Sequence, residues 1–307
     1  MIAIVGDSFV DVLAGVERLP VWGQDTPCHT PIQMQPGGSA LNTATQLAHL
    51  HGPQVEFFTG LGTDAFGDIL VRHLAKHGVT LHSPVLPDVP TGVWIVLTGG
   101  GDRGFVTHYG AARVFTVDHI NKERLFQAQH IHIGGFYSVP GLIPGLVDLL
   151  RDARSRGITL SLDTNYDGSE EWTHLDDILP LLDVFLPNEV EAMLISKRPS
   201  VKEAMDYFAS VSPHLLTVLK VGGDGVRAHC ARTKTNFEFG GIPATILDAT
   251  GAGDAFNAGF LFEWTQSKDI MKALKWGCAV GSKCVQVVGA CTNLPPVEEL
   301  QTMVDSA

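Results

Sequence analysis

The chain has 307 residues, 45% of them hydrophobic, and a formal net charge of −12 from 21 Lys and Arg against 33 Asp and Glu. No basic run interrupts that acidic background, which makes nucleic acid and anionic membranes poor partners. No stretch approaches about 18 consecutive apolar residues and a charge arrives at Asp7, so neither a transmembrane helix nor a secretory leader is predicted, and the expected location is cytoplasmic.

The length suits one large α/β domain spanning 1–307. Taken in order, Ile2-Ala3-Ile4-Val5 reads as a core strand ending at Gly6-Asp7, and residues 10–34 then lack helical periodicity. Gly37-Gly38 turns into a helix over 40–50, with Ser39 as a candidate cap. A strand over 55–58 follows, then a turn from Gly60 to Gly67 in which Asp64 caps a helix over 64–77. Residues 92–98 and 105–109 read as a hairpin closed by 99–104. Strands at 131–133, 158–162, 184–186 and 215–219 then alternate with helices at 141–155, 188–196, 201–210, 252–265 and 269–287. Such alternation predicts a mostly parallel sheet between two helical layers, with ligands at the C-terminal ends of its strands. Segments 10–34 and 91–113 stand outside it and predict a small β layer.

Three other patterns carry no site. Gly99-x-Gly101-x-x-Gly104 fits a dinucleotide fingerprint, but a strand-like run follows where that motif needs a helix, and GxxxxGK[ST] does not occur. His130-x-His132 alternates with Ile131 and Ile133, with no third ligand nearby, and reads as two ordinary histidines of a strand. The five cysteines are odd in number and lack CxxC spacing, which predicts free thiols.

The chemistry concentrates in Asp248-Ala249-Thr250-Gly251-Ala252-Gly253-Asp254, where a loop of small residues enters a helix. Backbone N–H groups of Gly251, Ala252 and Gly253 can face an anion there, with the Asp254 carboxylate beside them. A phosphoryl group in flight spreads charge over its equatorial oxygens, and unobstructed amides stabilise it without a cationic side chain. Asp254 would orient an acceptor hydroxyl and take its proton. Upstream, Asp11, the close-approach pair Gly37-Gly38 and the amide of Asn42 are the groups that hold a polyol. Asn188-Glu189-Val190-Glu191 follows a strand directly and on its own reads as a helix N-terminus with acidic residues in its first turn.

On these residues the chain resembles the ribokinase, or phosphofructokinase-B, family, whose signature is DTxGAGD; Ala249 stands where the family usually has Thr. The resemblance covers nearly the whole chain and implies a ribokinase-like α/β fold whose small β layer is a lid. It also implies Asp254 as base and the Gly251 to Asp254 amides as anion hole, with sugar hydroxyls held by Asp11, Gly37, Gly38 and Asn42. Asn188 and Glu191 match the family's NxxE, with Asn188 near the phosphates and Glu191 organising Mg²⁺ through water. Lys220-Val221-Gly222-Gly223-Asp224-Gly225 resembles the TLGxxG nucleotide loop, with Lys220 in place of a small hydroxyl residue, either a cation near the phosphates or a solvent-facing side chain. Val288-Gly289-Ala290 resembles the terminal GA loop, which puts Cys278 in the adenine pocket, and Asp248 and Thr250 match positions that ligate K⁺ in some relatives.

The expected function is ATP- and Mg²⁺-dependent transfer of the γ-phosphoryl group to a monosaccharide hydroxyl, with K⁺ dependence open. Phe9 and Ser39 depart from the Asn and Lys of ribokinase, so ribose is not implied. The alternatives are a nucleoside kinase of the same family, for which apolar Phe9 would suit a base, and a non-catalytic member that binds sugar or nucleotide. The expected partner is a small sugar or nucleoside, and the chain is expected to be a monomer or a lid-mediated homodimer.

Overall fold

The computed structural model describes residues 1–99 and 102–307. Gly100 and Gly101, in the predicted hairpin turn and the rejected fingerprint, lie outside the described residues, and of Asp102 and Arg103 only the backbone is described. The chain runs through β1 (Ile2–Gly6), β2 (Phe9–Gly15), β3 (Gln33–Gly37), α1 (Ser39–His49), β4 (Val55–Phe58), α2 (Ala65–Lys76) and β5 (Thr80–His82). Next come β6 (Val93–Gly99), β7 (Asp102–His108), two single turns α3 (Ala111–Val114) and α4 (Lys122–Leu125), β8 (His130–Gly134), α5 (Ile143–Ser155) and β9 (Thr159–Leu162). It continues with β10 (Val184–Phe185), α6 (Glu189–Ser196), α7 (Val201–Val211), β11 (Leu216–Lys220), β12 (Gly225–Cys230), β13 (Thr235–Gly240), α8 (Ala252–Ser267), α9 (Ile270–Cys284) and α10 (Val297–Ser306).

The large sheet has the order β13-β12-β11-β10-β9-β8-β1-β4-β5, parallel from β5 to β11 and antiparallel beyond. Both faces of β1 are buried, and its side chains divide by parity. Ala3 and Val5 join the core cluster with Leu149 and Leu150 of α5 and Phe208 of α7, whereas Ile2 and Ile4 join Leu41 of α1, Leu70 of α2 and Ala258 of α8. That is the predicted three-layer arrangement. The small sheet has the order β3-β2-β6-β7; β2 pairs antiparallel with β3 and parallel with β6, and β6 pairs antiparallel with β7. Only Asp7 and Ser8 separate β1 from β2, so the chain passes from the large sheet straight into the small one at this point.

Several expectations change. Helix α1 is capped by Gly38, not by Ser39: at φ 96° Gly38 adopts a conformation closed to other residues, and an added Cβ would lie 2.8 Å from Ser8 Cα. The predicted 141–155 helix begins as a 3₁₀ turn, and Pro144 and Gly145 are non-helical within α5. The predicted 269–287 helix ends at Cys284, and β5, the β12–β13 hairpin and α10 were not anticipated. His130 and His132 lie within the sheet core, hydrogen-bonded to Thr159 and Ser161. Burial holds both imidazoles neutral, His132 down to about 4. Among the described residues no helix is long and apolar enough to cross a membrane.

Candidate active site

Two helix N-termini meet at one carboxylate. Gly251 caps α8 at φ 74°, and an added Cβ would fall 2.2 Å from the Ala290 Cβ, so only glycine allows the loop of residues 288–292 to close against the helix start. The first turn, Ala252, Gly253 and Asp254, has no preceding helical carbonyls for its amides to bond; Ala252 N makes only a long 3.3 Å turn contact to Ala249 O. From α1, Ser39 Oγ donates to Asp254 Oδ1 at 2.7 Å and Asn42 Nδ2 donates to Asp254 Oδ2 at 2.9 Å. Burial, reinforced by the charge of Asp163, pushes the Asp254 carboxyl up to about 7 in spite of these two donors.

The residues expected to hold an acceptor lie next to it. Asp11 on β2 is buried, its Oδ1 has no hydrogen-bond partner, and burial together with the charges of Asp254 and Asp248 raises it to about 7. Gly37 is the residue over this carboxylate: a Cβ there would sit 2.3 Å from Asp11 Oδ2. Asn42 Oδ1 and the indole Nε1 of Trp94, which pairs with Asp11 across β2 and β6, are also buried without partners. Buried polar atoms left unsatisfied in this way are the signature of a polar ligand's place. Phe9 is fully buried beneath Trp94 (ring centroids 4.8 Å apart) and the edge of Tyr109, so it offers no open face to a base.

Beyond Asp254 a cleft of about 450 Å³ opens between the β11–β12 turn and α8 and α9. Lys220, Gly222, Gly225, Ala252, Gly253 and Cys278 are among its lining residues; Asn188 is not, although Asn188 bridges to Lys220 at the strand edge. Asn188 and Glu191 form a reciprocal cap on α6: Glu191 N donates to Asn188 Oδ1 at 2.9 Å, and Asn188 N to Glu191 Oε2 at 3.0 Å. Burial, then the charge of Asp163, raises Glu191 to about 7. Asp248 Oδ1 accepts from Thr250 N at 2.9 Å and its Oδ2 from Gly289 N at 3.1 Å, so Asp248 ties the signature loop to the Gly289-Ala290 loop.

Lys220 does not face solvent but turns inward. Its Nζ donates to Asp163 Oδ2 at 2.8 Å and to Asn257 Oδ1 at 3.3 Å, and Asn257 Nδ2 also donates to Asp163 Oδ2. Sequence reading missed Asp163, Asn257 and Asp7. Asp163 and Asp7 each follow a parallel strand, where an α/β fold collects function, and Asn257 is one turn from Asp254 on α8. Asp7 Oδ1 accepts from Ala40 N at 2.8 Å, its Oδ2 is buried without a partner, and burial raises it to about 7.

A buried carboxylate where two helix N-termini meet, with a glycine-lined cleft at its neighbours Ala252 and Gly253 and the orphaned polar atoms of Asp11 and Asn42 close by, fits one class: a ribokinase-like α/β kinase. The family model for pfkB family carbohydrate kinases matches residues 1–296. The chain belongs to that family and is a carbohydrate kinase. It is similar to a ribokinase of Arabidopsis thaliana, 26% identical over 96% of this chain and 78% of the relative. It is also similar to an adenosine kinase of Saccharomyces cerevisiae, 28% identical over 82% of this chain and 78% of the relative. The structure of Arabidopsis thaliana ribokinase complexed with ribose and ATP superimposes with a TM-score of 0.84, covering 99% of this chain and 98% of that one at 23% identity.

Proposed function

We propose that the protein transfers the γ-phosphoryl group of ATP to a hydroxyl of a monosaccharide, with Asp254 as the base. The observation that carries this reading is the position of Asp254, at the start of α8 between the glycine-lined cleft and the orphaned oxygens of Asp11 and Asn42. A hydroxyl held there by Asp11 and Asn42 lies against the Asp254 carboxylate, and the amides of Gly251, Ala252, Gly253 and Asp254 supply the anion hole. The adenine occupies the apolar end of the cleft near Cys278, with the polyphosphate running over Gly222, Gly225 and Lys220 toward α8.

The magnesium of the MgATP substrate fits Glu191, a buried carboxylate with one oxygen in the α6 cap, in a cluster where carboxylates outnumber the single cation Lys220; Asn188 fixes that carboxylate's orientation. Bound there, Mg²⁺ neutralises phosphate charge. The backbone around Asp248 and Thr250, tied to the Gly289-Ala290 loop, is the place for K⁺. The small sheet serves as the lid on the acceptor, because β2 and β6 bring Asp11 and Trp94 to it.

The enclosure of Phe9 favours a small polyol over a nucleoside. The test is ATP consumption across pentoses, hexoses, sugar acids and nucleosides, with and without K⁺. Stimulation by a monosaccharide is expected. Stimulation by nucleosides alone would replace the acceptor assignment, and ATP binding with no acceptor turned over would make the chain a binder.

A further inference from the structure

We infer that Lys220 is a catalytic residue, a fixed cation on the transferring phosphoryl group, and that Asp163 and Asn257 are the positioning residues that hold it there. The inference rests on the kinase reading above and adds a residue role to it.

Three separate elements converge on the Lys220 ammonium: Lys220 ends β11, Asp163 follows β9 and Asn257 lies in α8. Asp163 and Asn257 take two of its three N–H donors, at 2.8 and 3.3 Å. Nζ is also the nearest atom to a Cβ built on Gly253, at 3.4 Å, so the ammonium rests against the amide cluster that begins α8. Two donors are thus accounted for, and the third remains for a ligand beside Gly253.

A buried ion pair is weak evidence of stabilisation, since apolar groups of the same volume often do as well. This pair therefore calls for another reason, and the surrounding charges supply it. Asp7, Asp11, Glu191 and Asp254 surround the centre with carboxylates, while Lys220 is the one cationic side chain among the described residues lining the cleft. A polyphosphate entering such a site gains from a fixed cation at its reacting end, in addition to the amides of α8 and the magnesium it brings. Burial works against the charge on Lys220, but the carboxylates of Asp163 and Glu191 outweigh it and keep the amine protonated. Held on both sides, Nζ has no reorganisation to undergo as charge builds on the phosphoryl oxygens.

In the transfer, the bond from Pγ to the β–γ bridging oxygen breaks and its electron pair stays on ADP. The acceptor oxygen forms the new bond to Pγ, and its proton passes to Asp254. Lys220 keeps all three protons and strengthens one N–H···O contact.

The test compares the wild type with Lys220→Met, Asp163→Asn and the double variant, reading melting temperature, ATP Kd, acceptor KM and kcat. Lys220→Met strands a buried carboxylate and should lower the melting temperature; adding Asp163→Asn should restore it. The double variant should still lose ~10²–10³-fold in kcat with acceptor KM within about threefold, the loss expected of a missing electrostatic donor. Asp163→Asn alone keeps the shape and should lose kcat increasingly as pH rises, because Lys220 without its main counter-charge deprotonates more easily. A folded double variant with wild-type kcat, or an Asp163→Asn enzyme with wild-type kcat and pH profile, overturns the inference and leaves the kinase reading standing. A wild type that transfers phosphate to no acceptor overturns the kinase reading instead.

Discussion

Ser39 Oγ donates a 2.7 Å hydrogen bond to Asp254 Oδ1, across 215 residues of chain, and so fixes the carboxylate proposed as the base. This bond favours the charged form against the burial that raises Asp254 to about 7. Turnover should therefore have an acid limb near pH 7, with activity present above it and lost as pH falls and the base is protonated. Asp254→Asn should reduce turnover by ~10²–10⁴ with ATP affinity nearly unchanged. Ser39→Ala removes a donor to the carboxylate and should move the acid limb to higher pH. Near-normal turnover in Asp254→Asn, or a limb that moves down in Ser39→Ala, would show that another group is the base.

Variants of Asp11 and Asn42 test the proposed separation of acceptor binding from catalysis. Asp11 Oδ1 has no hydrogen-bond partner among the described residues, so Asp11→Ala should raise the acceptor KM by about tenfold or more, the loss of a charge-assisted hydrogen bond, with ATP KM unchanged. Asn42 uses its amide nitrogen on Asp254 and leaves its oxygen unpaired, so Asn42→Ala should lower kcat as well as raise acceptor KM. Steady-state kinetics with each substrate varied will show the split. A shift confined to ATP KM in Asp11→Ala would place the acceptor elsewhere.

Pattern made the core legible because β1 is an apolar run and β8, β9 and β11 are short strands carrying Ile, Leu and Val, all buried on both faces, and the DxTGAGD string marked the helix start that carries Asp254. The β12–β13 hairpin stayed hidden, since its exposed edge strand Thr235–Gly240 carries polar residues in place of an apolar run. Asp163 and Asn257 were illegible for a different reason. Each resembles an ordinary loop or helix residue in sequence, and only the tertiary meeting of β9, β11 and α8 gives them Lys220 as a partner. Ser39 was legible as a polar residue at a helix start, but its bond goes to another helix's carboxylate, which no local spacing encodes.

Gly251 and Gly78 test the closure of the site. Both have positive φ, 74° and 71°, but a Cβ on Gly251 meets Ala290 at 2.2 Å whereas Gly78 faces open space. Gly78→Ala should cost about 1–2 kcal/mol, the left-handed penalty alone, and leave kinetics unchanged. Gly251→Ala carries the same penalty and also displaces the 288–292 loop from α8, so it should lose stability and turnover together. Melting curves alongside initial rates decide this; equal effects at the two glycines would remove the contact with Ala290 from the account.

Asp7 allows the buried acidic cluster to be read through stability. Its carboxyl stands at about 7 in the fold and near 3.8 unfolded, so between these values the native chain holds a proton that the unfolded chain has released. Its contribution is therefore fully present below pH 4 and lost as pH rises to about 7. His73 and His132 act in the opposite direction: lowered by burial to about 4, they contribute stability above pH 6.5 that is lost as pH falls. The two slopes oppose each other in the whole protein, so a single-site difference is the informative quantity. Asp7→Asn keeps an oxygen for the Ala40 amide and removes the charge. The variant should gain stability over the wild type at pH 8 and gain little at pH 5, as measured by paired thermal melts in metal-free buffer. A gain of equal size at both pH values would mean that Asp7 is not titrating in this range, and a loss at pH 8 would mean that its charge is compensated within the fold.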